Sequence, residues 1–292
     1  MAYDEGRVRR DGEFLPIECL RQRLAGNRKG GNLHYHDYTE LLFGLSGVAQ
    51  VQIGHSISML EEGGLTVIQA GDAHDVLGSG QPCEYIVIKF LPEMLISAEQ
   101  TGAEFGYALT LMEHAADRQS VFSPSELDGT EIPAILRQMM AEWERKAFGY
   151  ELSLRADVTR VILFLLRKWR EANPGLCDSV APTDRRLMQT ALSYIGAHYT
   201  YLSERDVAQA CGISTVAVSR LFARTVKSTF PDYVRGVRLR EAEKLLLTTD
   251  LTVTDIALQV GFSTSAYFIS KFREARGVTP YRYRKQRNRQ TP

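Results

Sequence analysis

The sequence predicts an α+β chain of two domains: an N-terminal antiparallel β-barrel or sandwich with helices attached, then an all-α domain. Three observations carry that expectation. Between residues 33 and 90, short β-rich apolar runs alternate with turn residues about every 8–12 positions, the spacing of an antiparallel sandwich or barrel. From Asp184 onward the pattern is helical, and two segments in it resemble each other at an offset of 49 residues. The third observation is charge. The 292 residues hold 35 Lys+Arg and 35 Asp+Glu, for a net charge of zero. That balance conceals a division. Residues 1–182 carry 17 basic and 26 acidic residues (net −9), and residues 183–292 carry 18 basic and 9 acidic (net +9). Such asymmetry marks a nucleic-acid-binding module joined to something else.

Composition excludes other classes. The 44% hydrophobic and 24% charged content are ordinary for a soluble globular protein. No run of about 18 apolar residues exists, and the longest candidate, around Val158–Leu166, is cut by Arg155, Arg160 and Arg167. Met1–Glu18 lacks the apolar stretch of a secretory signal. Cys19, Cys83, Cys177 and Cys211 lie too far apart for a disulfide framework or a CxxC zinc pattern, so a reducing cytoplasm is expected, with no membrane contact.

In chain order, the barrel is expected at about 15–95. Its apolar runs are Leu41–Leu45, Val48–Ile53 ending at Gly54-His55, Leu65–Ile68 ending at Gly71-Asp72, and Ile86–Phe90 ending at Pro92. Beyond Pro92 the period changes to that of helices over 131–148 and 151–171. In the second, Leu154, Val158, Val161, Leu165 and Lys168 alternate spacings of four and three, widened by Ile162, Leu166 and Trp169. A stripe this broad reads either as a core helix or as one that also offers a seam to a partner helix. Asn173-Pro174-Gly175 ends it, and the stretch to Pro182 is the expected linker between domains 1–182 and 183–292.

The repeat aligns Leu202, Asp206, Ala208, Gly212, Ser214 and Thr215 with Leu251, Asp255, Ala257, Gly261, Ser263 and Thr264. Each copy reads as a helix-turn-helix, over 203–223 and 252–274. Small Ala208 and Ala257 permit close packing, Gly212 and Gly261 end the first helix, and Ser214 and Ser263 are positioned to cap the second. Val218, Leu221 and Phe222 form the buried face of one second helix, and Phe268 and Phe272 that of the other, with one extra residue in the register. In such motifs the second helix enters the DNA major groove. The connecting segment, Pro231 to about Leu247, is a helix of some 17 residues, roughly 26 Å long. Successive major grooves lie about 34 Å apart, so some DNA bending is expected.

Residues 184–287 resemble the DNA-binding domain of the AraC/XylS family of bacterial transcription regulators. The resemblance rests on Ala208, Gly212, Ser219-Arg220-Leu221-Phe222, Tyr233, Arg238-Leu239, Ala242, Ile256-Ala257, Val260-Gly261-Phe262, Tyr267-Phe268, Phe272, Gly277, Thr279-Pro280 and Tyr283-Arg284. Lys227-Ser228 stands where the family usually has Gly, and Ile269-Ser270-Lys271 departs from its frequent Ser-Arg pair. The resemblance implies base contacts near the N-terminal ends of the second helices: Thr215, Val216, Ser219 and Arg220, then Ser265, Ala266, Ile269 and Ser270. Arg220 suits a bidentate contact to guanine, and Val216 a thymine methyl. Arg224, Lys227, Lys271 and Arg273 are phosphate candidates. The basic segment from Arg282 to Arg289 is either a solvated tail or a further phosphate anchor.

In the N-terminal half, His34, His36, Glu40 and Gly47, then Gly63, Gly71 and His74, resemble the two cupin motifs, so the barrel is expected to be cupin-like. His34, His36, Glu40 and His74 match the metal ligands of metallo-cupins, a donor set suited to Fe, Mn, Ni or Zn. The regulator family more often binds a small effector there without metal, and no cofactor is expected on that ground. The effector-facing candidates are His34, His36, Tyr38, Glu40, Gln50 and His74, with Tyr35 or Tyr38 offering an aromatic face to a sugar. His55 and His114 are expected to have no role.

The leading expectation is therefore a non-enzymatic transcription regulator that binds double-stranded DNA and a small effector. The further expectations are a homodimer, contact with RNA polymerase, and control of carbohydrate genes. The alternative is a metal-dependent cupin enzyme or metal sensor fused to a DNA-binding module. A stress or virulence regulator answering a non-sugar signal is a third reading.

Overall fold

The computed structural model describes residues 17–25, 33–36, 38–95, 102–112, 118–176 and 180–287. The expectations for His114, Cys177, Arg289 and residues 1–16 lie outside these. The chain forms two compact units, and among the described residues no helix is long and apolar enough to cross a membrane.

The first unit is built on two antiparallel sheets. Its strands are β1 (Ile17–Leu24), β2 (Thr39–Ser46), β3 (Val48–Ile53), β4 (Ser56–Glu61), β5 (Leu65–Ile68), β6 (His74–Gly78), β7 (Cys83–Phe90) and β8 (Val121–Phe122). One sheet runs β1-β7-β2-β5-β8 and the other β4-β3-β6. Their inner faces meet in one core, to which Leu24, Leu42, Ile68, Tyr85 and Val87 come from the first sheet and Ala49, Val51 and Leu60 from the second. The four apolar runs of the sequence are β2, β3, β5 and β7. Three of the other strands carry polar residues that break the apolar pattern: Arg21, Gln22 and Arg23 in β1, Ser56 and Ser58 in β4, and His74 and Asp75 in β6. In β1, exposed Arg21 and Arg23 flank half-buried Gln22 and both pair with Glu84 on β7. β4 is an edge strand with little buried beyond Leu60.

Between β7 and β8 lies α1 (Gly102–Met112), which belongs to the second unit. The first unit continues with the single turn α2 (Pro124–Leu127), then α3 (Ile132–Arg145) and α4 (Tyr150–Ala172). α3 packs on β1, β7 and α4, burying Ile132, Ile135, Leu136, Met139 and Met140. It stops three residues before the expected end, where Lys146 turns left-handed. Along α4 the whole expected apolar stripe is buried except Lys168, which reaches the edge and pairs with Glu171 at 3.0 Å. Leu152 and Leu163 of α4 remain exposed.

The second unit holds α1, α5 (Pro182–His198), α6 (Glu204–Cys211), α7 (Thr215–Thr225), α8 (Phe230–Thr248), α9 (Val253–Gln259), α10 (Ser265–Arg276) and α11 (Pro280–Arg287). It has two cores. The first joins Phe105 and Leu109 of α1 to Met188, Ala191, Leu192 and Ile195 of α5, with Val207, Val218, Leu221 and Phe222 from α6 and α7. The second joins Ile256, Ala257, Phe268 and Phe272 of α9 and α10 to Tyr283 of α11. Helix α8 belongs to both, giving Phe230 and Val234 to the first and Leu239, Ala242, Leu246 and Leu247 to the second. The basic C-terminal segment is thus helical to residue 287, anchored by buried Tyr283 and by Arg284 donating to the Leu246 carbonyl at 3.3 Å.

Capping sets the boundaries. Ser203 and Asp206 form a capping box at α6, and Ser214 accepts from Ala217 N at 3.2 Å at α7. In the second copy the cap is Thr264, accepting from Tyr267 N at 3.2 Å, and not Ser263 as expected. The turn there is one residue longer, so the hydroxyl at the cap position comes from the following residue.

Two backbone positions have measurable consequences. After α10 the chain turns left-handed at Gly277 (φ 69°), whereas after α7 the matching residue is Lys227 (φ 52°). A side chain in that region costs about 1–2 kcal/mol. Gly261 (φ 93°) lies against the α5 end, where an added Cβ would come within 2.1 Å of the Thr200 carbonyl oxygen. Urea unfolding of the full chain followed by helical signal should therefore separate two variants. Lys227→Gly is expected to gain about 0.5–1 kcal/mol, after the added entropy of a glycine in the unfolded chain. Gly261→Ala is expected to lose about 2–4 kcal/mol, since backbone as well as φ must adjust.

Candidate functional site

The barrel interior is polar at one end. Side chains alternate across a strand, so Glu40 shares the inward face of β2 with Leu42, and His74 shares that of β6 with Val76, both of these apolar partners belonging to the core. His34 and His74 are joined by a backbone bridge, His34 N to His74 O at 3.0 Å and the reverse at 2.8 Å. His36 follows two residues later, and Gly71 N donates to its carbonyl at 2.7 Å. One ligand atom from each of His34, His36, Glu40 and His74 lies within 4.8 Å of all the others.

Hydrogen bonds fix how these rings present themselves. Nδ1 of His36 lies 2.9 Å from the Tyr38 carbonyl, and Nδ1 of His74 lies 2.9 Å from the Asp72 carbonyl. A carbonyl only accepts, so both Nδ1 atoms carry the proton and donate, and both Nε2 atoms turn toward Glu40. Nε2 of His36 is 2.7 Å from Glu40 Oε2, and Nε2 of His74 is 3.5 Å from the same oxygen. The second separation is too long for a formed hydrogen bond, and it leaves His74 Nε2 buried without a hydrogen-bond partner.

Burial opposes ionisation of Glu40, yet His36, His74 and Lys89 together hold its carboxyl well below the usual range. Burial also pushes the His36 imidazole down, outweighing Glu40's pull upward. At His74 burial acts the same way, but Glu40 and Asp72 win and the imidazole is raised. The interior thus holds a fixed carboxylate among imidazoles. Such a set can bind a cation or accept and donate hydrogen bonds to a polar ligand.

The structure brings these four residues together and places their expected neighbours differently. Gln50 is not part of it: Ala49 and Val51 take the inward face of β3, so Gln50 lies on the other face, half-buried. Tyr38 is buried and stacks on His36, with ring centroids 3.6 Å apart and planes 10° apart, so the imidazole occupies one of its faces. Tyr35 is exposed, as is His55 in the β3–β4 turn. Lys89 was missed. It is 2% exposed, pairs in register with Glu40 across β2 and β7, and places Nζ 5.4 Å from the Tyr38 ring centre.

The second candidate site is the outer face of the helical unit. With Val218, Leu221 and Phe222 buried, α7 exposes Val216 (58%), Ser219 and Arg220, while Thr215 is half-buried. Ser219 donates to Glu204 of α6. Arg224 is exposed but pairs with Asp184 of α5 at 2.7 Å, and Lys227 Nζ donates to the Arg224 carbonyl at 3.1 Å. On α10, Ala266, Ile269, Ser270 and Arg273 are exposed and Ser265 is half-buried. Lys271 pairs with Glu274 at 2.6 Å. Tyr267, also exposed, is an outward residue that the helical sorting did not single out.

Comparison with known proteins bears on both sites. Residues 14–162 match the family profile described as AraC-like ligand binding domain, and residues 207–286 match the one described as Helix-turn-helix domain. The uncharacterized HTH-type transcriptional regulator YdeC of Bacillus subtilis is 26% identical over 279 residues, covering 93% of this chain and 92% of its own. The melibiose operon regulatory protein of Escherichia coli is 24% identical over 279 residues, covering 88% and 85%. The crystal structure of ToxT from Vibrio cholerae superposes with a TM-score of 0.53 at 12% identity, over 92% of this chain and 97% of that one. That likeness concerns the fold.

Arg220→Ala tests the assignment on α7. On an operator recovered by selection from randomised DNA, the variant is expected to keep the wild-type unfolding midpoint and to lose about 1–3 kcal/mol of affinity, concentrated at one base position. Arg224→Ala, whose side chain is already engaged by Asp184, is expected to lose less and without base preference. Unchanged binding by Arg220→Ala removes it from the reading surface.

Proposed function

The chain belongs to the AraC family of ligand-responsive, DNA-binding transcription regulators, and from that premise we propose that it controls carbohydrate uptake or catabolism genes in answer to a hydroxylated small molecule held in the barrel. The observation that carries this reading is the buried polar end of the barrel. His34, His36, Glu40 and His74 bring their ligand atoms within 4.8 Å of one another, and Lys89 pairs in register with Glu40. A hydroxyl-rich ligand can exchange hydrogen bonds with such groups, whereas a purely apolar one cannot replace a bond it displaces, at a cost of about 1–3 kcal/mol each. The relative named for the melibiose operon supports the same direction.

In this reading the regulator works in the cytoplasm as a homodimer on double-stranded DNA, touching RNA polymerase when it activates. Thr215, Val216, Ser219 and Arg220 read bases in one groove. Ser265, Ala266, Ile269 and Ser270 meet the next, where their short side chains favour shape readout. Arg273, Lys271, Lys227 and Arg224 face phosphates. Residues 1–182 act as effector-binding and dimerisation domain and residues 183–292 as DNA-binding domain. The exposed Leu152 and Leu163 of α4 suit the dimer contact. A ligand alters gene control only if it binds two arrangements of the protein unequally. Two routes could carry that preference. One is α3 and α4. The other is α1, which follows the Lys89-bearing strand in sequence yet buries Phe105 and Leu109 in the core behind α6 and α7.

The regulator reading is tested by thermal unfolding against a panel of sugars, sugar acids and fatty acids. A ligand that binds only the folded form raises the midpoint. The expected result is stabilisation by one carbohydrate class, lost in Glu40→Gln, together with a change in operator affinity. Stabilisation by fatty acids alone would overturn the carbohydrate assignment.

A further inference from the structure

We propose that the outer edge of β4 pairs with the same edge of a second copy of this chain, antiparallel about a twofold axis, to make one continuous sheet of six strands. β4 lies at the end of the β4-β3-β6 sheet. Its register against β3 is unbroken from Val48↔Glu61 to Ile53↔Ser56. Along a strand, successive residues turn their N–H and C=O groups to opposite sides. Two hydrogen bonds fix which residues face which way. Gly54 N donates to the Ala73 carbonyl, away from β4, and the Glu61 carbonyl accepts from Gly64 N and not from β3. Alternation from these points makes Val51↔Ser58 and Ala49↔Leu60 the hydrogen-bonded pairs of the hairpin. The main-chain groups of Ile57 and Met59 then point off the free edge. Among the described residues, no main-chain hydrogen bond receives them.

The side chains of this edge invite pairing. Proteins usually guard an open edge with Lys, Pro or a bulge. β4 reads Ser-Ile-Ser-Met-Leu-Glu and has none of these. Instead Ile57 and Met59 are 60% and 45% exposed. An antiparallel partner must set outward-facing residues opposite outward-facing residues. An axis through Ser58 does so when the partner is a second copy. Ile57 of each copy then meets Met59 of the other and exchanges both main-chain bonds with it. The same register sets His55 of each copy opposite Glu61 of the other, an imidazole against a carboxylate at both ends. A slip of two residues in either direction sets Glu61 against Ile57 or His55 against Met59. Hydrogen-bond parity, apolar contact and charge complementarity thus select one register and one occupant. Six residues of edge bury little area, so the contact is weak between free chains and gains strength where two chains are already neighbours, as on adjacent DNA sites. It lies on a different element from the α4 contact of the dimer proposed above.

The test is oxidative cross-linking of the full-length Ser58→Cys variant at micromolar concentration, read on non-reducing gels beside the wild-type chain under the same oxidant. In the proposed register Ser58 faces its own counterpart in a pair without hydrogen bonds, with Cα atoms about 4.5 Å apart. That separation lies within disulfide reach, roughly 4.4–6.8 Å. Ser56 lies about 13 Å from its counterpart, four residues along the paired strands. The expected result is a covalent dimer from Ser58→Cys and none from Ser56→Cys or the wild type. Adding Ile57→Glu, at an exposed position, sets carboxylates of the two copies diagonally against each other and against Glu61, and is expected to lower the yield about tenfold or more. Adding Leu163→Glu on α4 is expected to leave the cross-link in place. No cross-link at Ser58, an equal yield from Ser56→Cys or the wild type, or indifference to Ile57→Glu overturns the proposal. So does loss of the cross-link with Leu163→Glu, which would assign it to the α4 contact.

Discussion

Helix α8 is the member on which the DNA-facing half depends, because one rigid rod is shared by two hydrophobic cores. Phe230 and Val234 complete the core behind α7, while Leu239, Ala242, Leu246 and Leu247 complete the one behind α10. Neither helix-turn-helix is large enough to bury its apolar face alone. Polar bonds keep α8 from rolling between the two. Arg238 donates to the Tyr199 and Thr200 carbonyls at 2.8 and 3.3 Å, and the buried Glu243 pairs with Arg276 at the end of α10. A buried pair of this kind adds little net stability, but breaking it strands a charge and costs about 3–5 kcal/mol. It therefore disfavours alternative packings of the second unit. Nineteen residues at 1.5 Å each make α8 about 28 Å long, a fixed separator for the two reading helices.

The sensor half follows a different constraint, the parity of its strands. Pleating sends Leu42, Val76, Val51 and Ala49 into the core, and the same parity carries Glu40 and His74 inward beyond them. Polar groups are therefore segregated at one end of an otherwise apolar interior. The division of charge along the chain gains a meaning from this. The +9 half is the half that holds both helix-turn-helix units, and the −9 half is the one that phosphates repel.

Where the sequence was legible, several independent signals agreed. The repeat was visible because Leu, Asp, Ala, Gly, Ser and Thr recur at one offset, and several of them have structural tasks: Asp206 and Ser214 in caps, Ala208 and Ala257 in the packed interior, Gly212 and Gly261 at positive φ. The single slip, Ser263 for Thr264, arose because two hydroxyls stood side by side and register alone chose between them. β2, β5 and β7 were visible as apolar runs buried on both faces and β3 as an alternating one, whereas β1 and β4 are interrupted by exposed polar residues and read as polar. Helix α1 was hidden by its glycines. Gly106 weakens the helical signal, and an added Cβ there would meet Arg185 of α5 only at an ordinary contact distance of 3.5 Å. Gln50 and Lys89 illustrate the limit of motif reading. Gln50 sits close in sequence to the right residues but on the wrong parity. Lys89 sits far away, in an apolar strand, and only the register of β7 against β2 brings it beside Glu40.

The shared helix makes one demand that DNA itself can answer. If α7 and α10 are held by α8 as one body, a single chain must engage two successive major-groove segments on one face of the duplex, about one helical turn apart. Hydroxyl-radical footprinting of the full-length protein on a single selected half-site measures this directly. The account predicts two protected segments at that spacing, both lost together when Leu246→Ala loosens the second core. One protected segment, unaffected by that substitution, would contradict it.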